Sequence, residues 1–553
     1  MASRTSRWTV LSIICTLALG ATLIAPSPAR AKAPAAIKYG GTVTVVPNGS
    51  PGSYTRNFNP NAGAVLQGSQ GMIYETLLLF NQIKGGKIIH WLATGYRWSN
   101  GNKTLTFTLR PGVKWNDGQP FTSADVAYTL QLDKQWGAKG FAPCNNCWSY
   151  VKSVSTPNPL TVIVNFKTVN TTGLWYIGGN MYVLPKHIWT KVSNPVTYTD
   201  ANPVGTGPFK LTSFSPEVYT LGKNKLYWQP GKPYVNALRY PSYTSNANSQ
   251  LDLVNGSIDW AGIFIPNAQQ VYVSAHPSTN HYWYPALSQP TAIFLNDTEA
   301  PFNNVHVRRA ISLALDRTSF KNVAEYGYEP GGNAGFIQPQ FVKTWGDSSV
   351  LRTVGQSPNI TAAKAELAQA SGVDITKPLT IQAPNGWTDW NTMETLIAND
   401  LKAIGMNVTV QQPDYGAWVN NLNTGKFDMI MRWTDASYSP FSIYQNQFWS
   451  KNSAPIGQTA ASNFERYSNP KMDALIAQYQ RAGKLPQQVS LMKQMEKLAA
   501  ADVPIVPLTI GCLWYEYNTS RFVGWPTAKN PYVRPSPYAS PEDVITALSI
   551  HLK

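Results

Sequence analysis

Charge is scarce in this chain. Of its 553 residues only 13% are Asp, Glu, Lys or Arg, against 43% hydrophobic, which excludes the charge-rich disordered classes. Histidine is limited to six residues and cysteine to four. The histidines show no HExxH or other metal-ligand spacing, and no GxSxG marks a serine nucleophile. The net charge is +16, yet Lys and Arg are scattered without a basic block. That argues against nucleic acid as a partner and fits a cationic protein working near anionic envelope polymers. No internal repeat supports a surface-layer or other structural array. Beyond the N-terminus no apolar run approaches the roughly 20 residues a membrane span takes. What the chain has in quantity is aromatic: 19 Trp, 28 Tyr and 19 Phe. A chain of this length has room for roughly two to four domains.

Arg4 and Arg7 precede an apolar stretch over residues 8–25, and Ala29-Arg30-Ala31 offers a small-x-small cleavage site. The pattern predicts a secretory signal over residues 1–31, and so a periplasmic or extracellular protein; a retained anchor is the alternative. Cys15 lies deep in the apolar stretch behind Ile14, not behind the small residue that a lipid-anchored cysteine requires. Cys144 and Cys147 stand in PCNNCW. In an exported chain a lone CxxC points to a small loop disulfide, since a metal site needs two further ligands that no nearby His or second CxxC offers. Cys512 is then unpaired and expected to be buried.

The stretch that organises the rest is FDMIMRWTDASYSPFS, residues 427–442. Its apolar run reads as a core strand, which delivers Trp433, Asp435 and Tyr438 to one end of a sheet. Residues 379–383 (LTIQA) form another strand and run into PNGWTDW, with Trp387, Asp389 and Trp390. Met393, Leu396, Ile397, Leu401 and Ile404 follow helical spacing, and Gly405 supplies a stop. Residues 407–411 make the next strand and residues 415–422 a helix. Consecutive crossovers of this β-α-β-α-β kind make the strands parallel, so both aromatic loops leave the same sheet edge, where ligands of open α/β sheets bind.

Earlier in the chain, residues 41–46 read as a first strand followed by a long Gly/Asn/Pro-rich loop that offers Tyr54, Asn57 and Phe58 as candidate ligand contacts. Residues 71–80 are expected to form a helix ending in a strand. Leu105, Phe107 and Leu109 alternate with threonines on a further strand, and Thr122-Ser123-Ala124-Asp125 is a helix-capping sequence. Val307, Ala310, Ile311 and Ala314 form a helical stripe. Asn469-Pro470 opens a helix carrying Met472, Leu475, Ile476 and Tyr479. Leu491, Met495 and Leu498 mark the last helix before residues 503–509 cross back.

WSNGNKTLTFTLRPGVKWNDGQPFTSADVAYTL, residues 98–130, resembles the signature of the family 5 extracellular solute-binding proteins of ABC transporters, the group that binds oligopeptides, dipeptides, nickel and oligosaccharides. PVGTGPFKLTSF (203–214), NNVHVRRAISLALDR (303–317), residues 404–433 and PIVPL (504–508) stand in that family's order, so the likeness covers essentially the whole mature chain. The resemblance implies an α/β, two-lobed, periplasmic-binding-protein-like fold of type II, each lobe an open, mostly parallel sheet flanked by helices. Mapped onto this sequence, lobe I comprises residues 38–76, 201–288 and 509–553, an inserted subdomain residues 77–200, and lobe II residues 289–508. It further implies hinge closure over a small oligomeric solute, delivery to an ABC permease in the membrane, a monomer, and neither cofactor nor catalysis.

Peptide-binding members hold the ligand ammonium with an aspartate four residues before a proline. Here that place, counted back from Pro440, is Ala436, and Asp435 is one position off, which in extended chain turns its side chain to the other face. The aromatic content points to sugar instead, because sugar rings pair an apolar C–H face with a hydroxyl edge. GWTDW supplies Trp387, Asp389 and Trp390; IDWAGIFIPN supplies Trp260, Phe264 and Asn267; and Trp433, Asp435 and Tyr438 add to them. GWTDW and DWAGIFIP also resemble the oligosaccharide-binding branch. The expectation is a cello- or xylo-oligosaccharide ligand, with an oligopeptide or dipeptide as the alternative. A secreted glycoside hydrolase using Asp389 and Asp435 is the rival from another class. It would need one carboxyl kept protonated at a set distance from its partner, and nothing around either aspartate in the sequence marks such a pair.

Overall fold

Two mixed sheets built from distant parts of the sequence carry this chain. The computed structural model describes residues 37–47, 52–62, 64–435 and 439–553. The expected signal segment, Cys15 and Tyr438 lie outside the described residues. The first strand, Thr42–Val46, takes parallel partners on both sides, Ala237–Pro241 and Trp260–Ala261. A hairpin of Phe209–Ser215 and Val218–Lys223 extends one edge, and Glu516–Asn518 followed by Asn280–Tyr282 extends the other, making seven strands. The second sheet has five strands, in the order Asn407–Gln411, Pro378–Gln382, Met429–Trp433, Pro290–Leu295 and Ile505–Ile510. A four-stranded antiparallel sheet formed within residues 93–166 packs on helix Ser123–Trp136.

Local patterning explains most of these elements. Leu105, Phe107 and Leu109 are buried on one face of strand Thr104–Leu109 while its threonines face outward. Thr122 and Asp125 form a reciprocal capping box at the start of helix Ser123–Trp136. Asn469 caps helix Pro470–Arg481. The stripe Val307, Ala310, Ile311 and Ala314 is wholly buried on helix Val305–Ala314. Two arginines within residues 303–317 fasten the returning strand: Arg308 donates to the carbonyls of Asp502 and Val503, and Arg317 to that of Pro507.

Two expectations are corrected. Residues 71–77 are turns, not helix, and only Leu78–Asn81 is regular. The carbonyls that a helix would use internally are taken by other segments. Met72 and Ile73 accept from Phe209 and Gly207, Glu75 accepts from Val183, and Leu77 accepts from Trp91 and Ala93. Nor are the sheets mostly parallel. The β-α-β-α-β unit is parallel as expected, with Pro378–Gln382 flanked by Asn407–Gln411 and Met429–Trp433. Pro290–Leu295, however, runs antiparallel to both its neighbours, because the chain enters and leaves this sheet on adjacent strands. It crosses between the sheets twice, after Asn280–Tyr282 and after Ile505–Ile510. Among the described residues no helix is long and apolar enough to cross a membrane.

The core also holds carboxyl groups. Burial pushes Glu516 and Asp543 up to about 8 and Glu75 to about 7, although Trp91, Tyr227 and Trp228 all donate to Glu75. The folded chain thus keeps protons that the unfolded chain releases near the ordinary carboxyl value of about 4. The stability these groups contribute is full below that value and is lost as pH rises through about 7–8. Asp347, held down to about 2 by Ser349, acts only below this window. The melting temperature is therefore expected to fall by on the order of a few degrees between about pH 5 and pH 8.5. A scanning-fluorimetry profile that is flat or rising over that span would contradict the assignment.

Candidate functional site

Parallel pairing brings the two aromatic loops of the five-stranded sheet to one edge. Trp387 sits just before helix Thr388–Lys402, and Trp433 ends strand Met429–Trp433. Their rings stack with centroids 6.0 Å apart and planes 20° apart. Trp390, in the first turn of the helix, meets Trp387 edge-on at 5.1 Å and lies 5.8 Å from Trp433. Tyr415 opens the next helix and continues the stack, 5.9 Å from Trp387 at 29°. Trp418, fully buried, backs the group. Such pairs add about 0.5–1.5 kcal/mol each beyond the area they bury, so the rings form a rigid wall.

The facing wall comes from the seven-stranded sheet and the chain crossings. Phe264 packs edge-on against Trp514 at 5.5 Å, and the Trp514 backbone N–H donates to the Tyr538 hydroxyl at 2.8 Å. Between the walls lies a cavity of about 280 Å³. Trp387, Trp390, Tyr415 and Trp433 line one side, and Phe264, Trp514 and Tyr538 the other. Gln67, Asn246, Ser288, Gln289 and Thr291 supply neutral polar groups around it. The parts of the chain that carry the walls also touch directly. Gly386, at φ +81°, has its missing Cβ 2.9 Å from the Thr244 carbonyl oxygen. The Ala268 N–H donates to the Tyr328 hydroxyl at 2.7 Å. Farther out, the Thr171 N–H donates to the Gln480 carbonyl at 3.0 Å.

Two carboxyl groups line the cavity, Asp389 and Glu329. Asp389 lies in the first turn of its helix, where backbone N–H groups favour the anion, yet burial raises it to about 6. Glu329 accepts from the Cys512 N–H at 2.7 Å and from the Thr509 hydroxyl. Burial outweighs these bonds and lifts it to about 8. The Cys512 thiol also lines the cavity; it is free, buried, and pushed up first by burial and then by the charges of Glu329 and Glu325.

Of the residues singled out from sequence, Trp387, Asp389, Trp390, Trp433 and Phe264 line this cavity. The others described do not. Trp260 is a core residue: it is fully buried on a strand paired to Val45, its Nε1 donates to the Pro535 carbonyl at 2.9 Å, and its ring meets Trp525. Asn267 is exposed at φ 48°, and its carbonyl starts a turn by accepting from Gln270 and Val271. Asp435 pairs with Arg432 at 2.9 Å, and that guanidinium also holds the Trp433 carbonyl and Gln447. The Tyr54 hydroxyl donates to the Pro241 carbonyl and its ring packs on Tyr219, so it fastens a loop. Asn57 braces the same loop through Ala64 and Asn59. Phe58 is fully buried. The Cys144 and Cys147 sulfurs are bonded, with Cα atoms 5.4 Å apart. Sequence reading missed Glu329, Tyr415, Trp514 and Tyr538. The usable signal was that residues beside the two crossings must pass the gap between the sheets, which would have nominated Trp514.

Residues 87–455 match the family described as bacterial extracellular solute-binding proteins, family 5. The periplasmic oligopeptide-binding protein OppA of Salmonella typhimurium is 25% identical, over 95% of this chain and 97% of its own. The periplasmic murein peptide-binding protein MppA of Escherichia coli is 23% identical, over 86% and 87%. Among solved structures, a mannohexaose-bound periplasmic oligopeptide-binding protein from Thermotoga maritima superposes with a TM-score of 0.84 at 24% identity, covering 93% of this chain and 98% of that one. The Helicobacter pylori protein DppA in complex with peptide STSA gives 0.78 at 20%, with the same coverage. These likenesses share the two-lobed α/β architecture described above, and with a family match over well more than half its length, this chain belongs to the bacterial extracellular solute-binding proteins, family 5.

Proposed function

We propose that this protein captures a short oligosaccharide of the cello- or xylo- type outside the cytoplasm and delivers it to an ABC importer. Lobe closure about the two chain crossings would seal the ligand from water. The observation that carries the reading is the wall of stacked rings at Trp387, Trp390, Trp433 and Tyr415, facing Phe264 and Trp514 across the cavity. Flat rings take the C–H face of a sugar, and Gln67, Asn246, Gln289 and Thr291 offer hydrogen bonds to its edge. At about 280 Å³ the cavity is at the small end of ligand pockets, which run about 300–1,000 Å³, so a short chain suits it best. Asp435 pairs with Arg432 and is not among the residues that line the cavity.

A peptide is the second reading, favoured by the similarity to the oligopeptide- and murein peptide-binding relatives and by two carboxyl groups in the cavity wall. Calorimetric titration with cellobiose, xylobiose and trialanine separates the two. Saturable heat with a disaccharide and none with trialanine is the expected result; heat with trialanine alone overturns the saccharide assignment.

A further inference from the structure

The charge of this cavity runs against that of the protein. The chain carries a net +16, yet no Lys, Arg or His among the described residues lines the cavity, while Asp389 and Glu329 do. Behind them stands Glu325, fully buried, with neither carboxyl oxygen accepting a hydrogen bond. Its charge would be felt by both others. Glu325 is raised first by burial, then by Glu329 and Asp389, and Glu329 is raised by burial and by Asp389. No cationic side chain figures among the groups acting on any of the three. The Cys512 thiol also lies in the field of Glu329 and Glu325.

Glu325, a buried carboxyl left without a hydrogen-bond partner, is costly to the fold, and the nearby carboxyls of Glu329 and Asp389 aggravate this. Such an arrangement is relieved by a positive charge brought in from outside. A bare metal ion fits poorly, because the three carboxyls do not bring one oxygen each within 4.8 Å of the others. An ammonium group, larger and able to donate three hydrogen bonds in different directions, fits better.

We propose that the saccharide taken up by this cavity bears a protonated amine, held between the carboxyl groups of Glu329 and Asp389 within the field of Glu325. The inference rests on the saccharide reading for the sugar rings and replaces the neutral cello- or xylo-type ligand with an amine-bearing one of the same β-linked shape. The rings hold the sugar faces, and the acidic corner selects an amino substituent over a hydroxyl. Because a cation beside these groups favours their ionised forms, binding would displace protons from Glu329 and Glu325 into solution.

The test uses two disaccharides of the same shape, cellobiose and β-1,4-linked glucosamine dimer, titrated calorimetrically into the full mature protein. The amine-bearing dimer is expected to bind at least about ten-fold tighter. Its binding heat is expected to change between buffers of different ionisation enthalpy, which reports proton release, whereas that of cellobiose is not. The double variant Glu329→Gln with Asp389→Asn, checked for folding by its melting curve, is expected to lose the preference. Equal affinities with no proton release overturn the cation inference and leave the saccharide reading standing. If neither disaccharide binds and trialanine does, the saccharide reading and the amino-sugar inference both fail. The proton-release measurement needs no variant, so a misfolded mutant does not remove the test.

Discussion

Trp387→Ala is expected to weaken disaccharide binding by about 30-fold or more, the size of a central aromatic hot spot of about 2 kcal/mol or above. Trp387 touches Trp390, Tyr415, Trp418 and Trp433 at once, so its loss removes one platform and loosens the rest. The effect should lie mostly in affinity. Trp387 is only half-buried and sits at the loop-to-helix junction. Phenylalanine at the same position keeps a smaller flat face and is expected to recover much of the binding. Calorimetry of the two variants against the parent decides the matter: an alanine variant that binds within about two-fold of the parent would place the ligand elsewhere in the cavity or on another surface.

Trp260→Ala is expected to do the reverse. This indole is fully buried in the core of the seven-stranded sheet and is hydrogen-bonded to the Pro535 carbonyl. Truncation opens a cavity, which for an aromatic residue costs about 3–5 kcal/mol. It also strips a buried carbonyl of its donor, which adds about 1–3 kcal/mol if water does not replace it. Denaturant unfolding should show the midpoint falling with a large loss of stability, while the folded fraction binds ligand with unchanged affinity. A variant that keeps its stability but loses affinity would restore Trp260 to the binding surface. The contrast between the two tryptophans follows from register. Trp260 pairs with Val45 inside a sheet and points into packed side chains, whereas Trp387 has left its sheet and stands on the rim.

Trp433 and Trp387 could be placed together from sequence because parallel β-α-β connections force consecutive strands to end on the same side. Helix positions such as Ala310 and Met472 were legible from their spacing alone. The helix expected at the start of residues 71–80 failed for the opposite reason. Its apolar content was correct, but its carbonyls are committed to Phe209, Gly207 and Val183, which are far away in sequence. Asp435 was singled out for its loop position, and what only the tertiary structure adds is its ion pair with Arg432, three residues back.

By itself the sequence determined this chain's class, its parallel core unit and one aromatic wall, because periodicity and crossover handedness act over a few tens of residues. Tertiary structure decided the opposing wall of Phe264, Trp514 and Tyr538, the burial of Trp260, and the acidic corner of Glu325, Glu329 and Asp389. The crossings between the sheets bring the opposing wall to the cavity, and packing of residues 320–329 against helix Thr388–Lys402 makes the acidic corner, both across sequence separations over which no local pattern carries information.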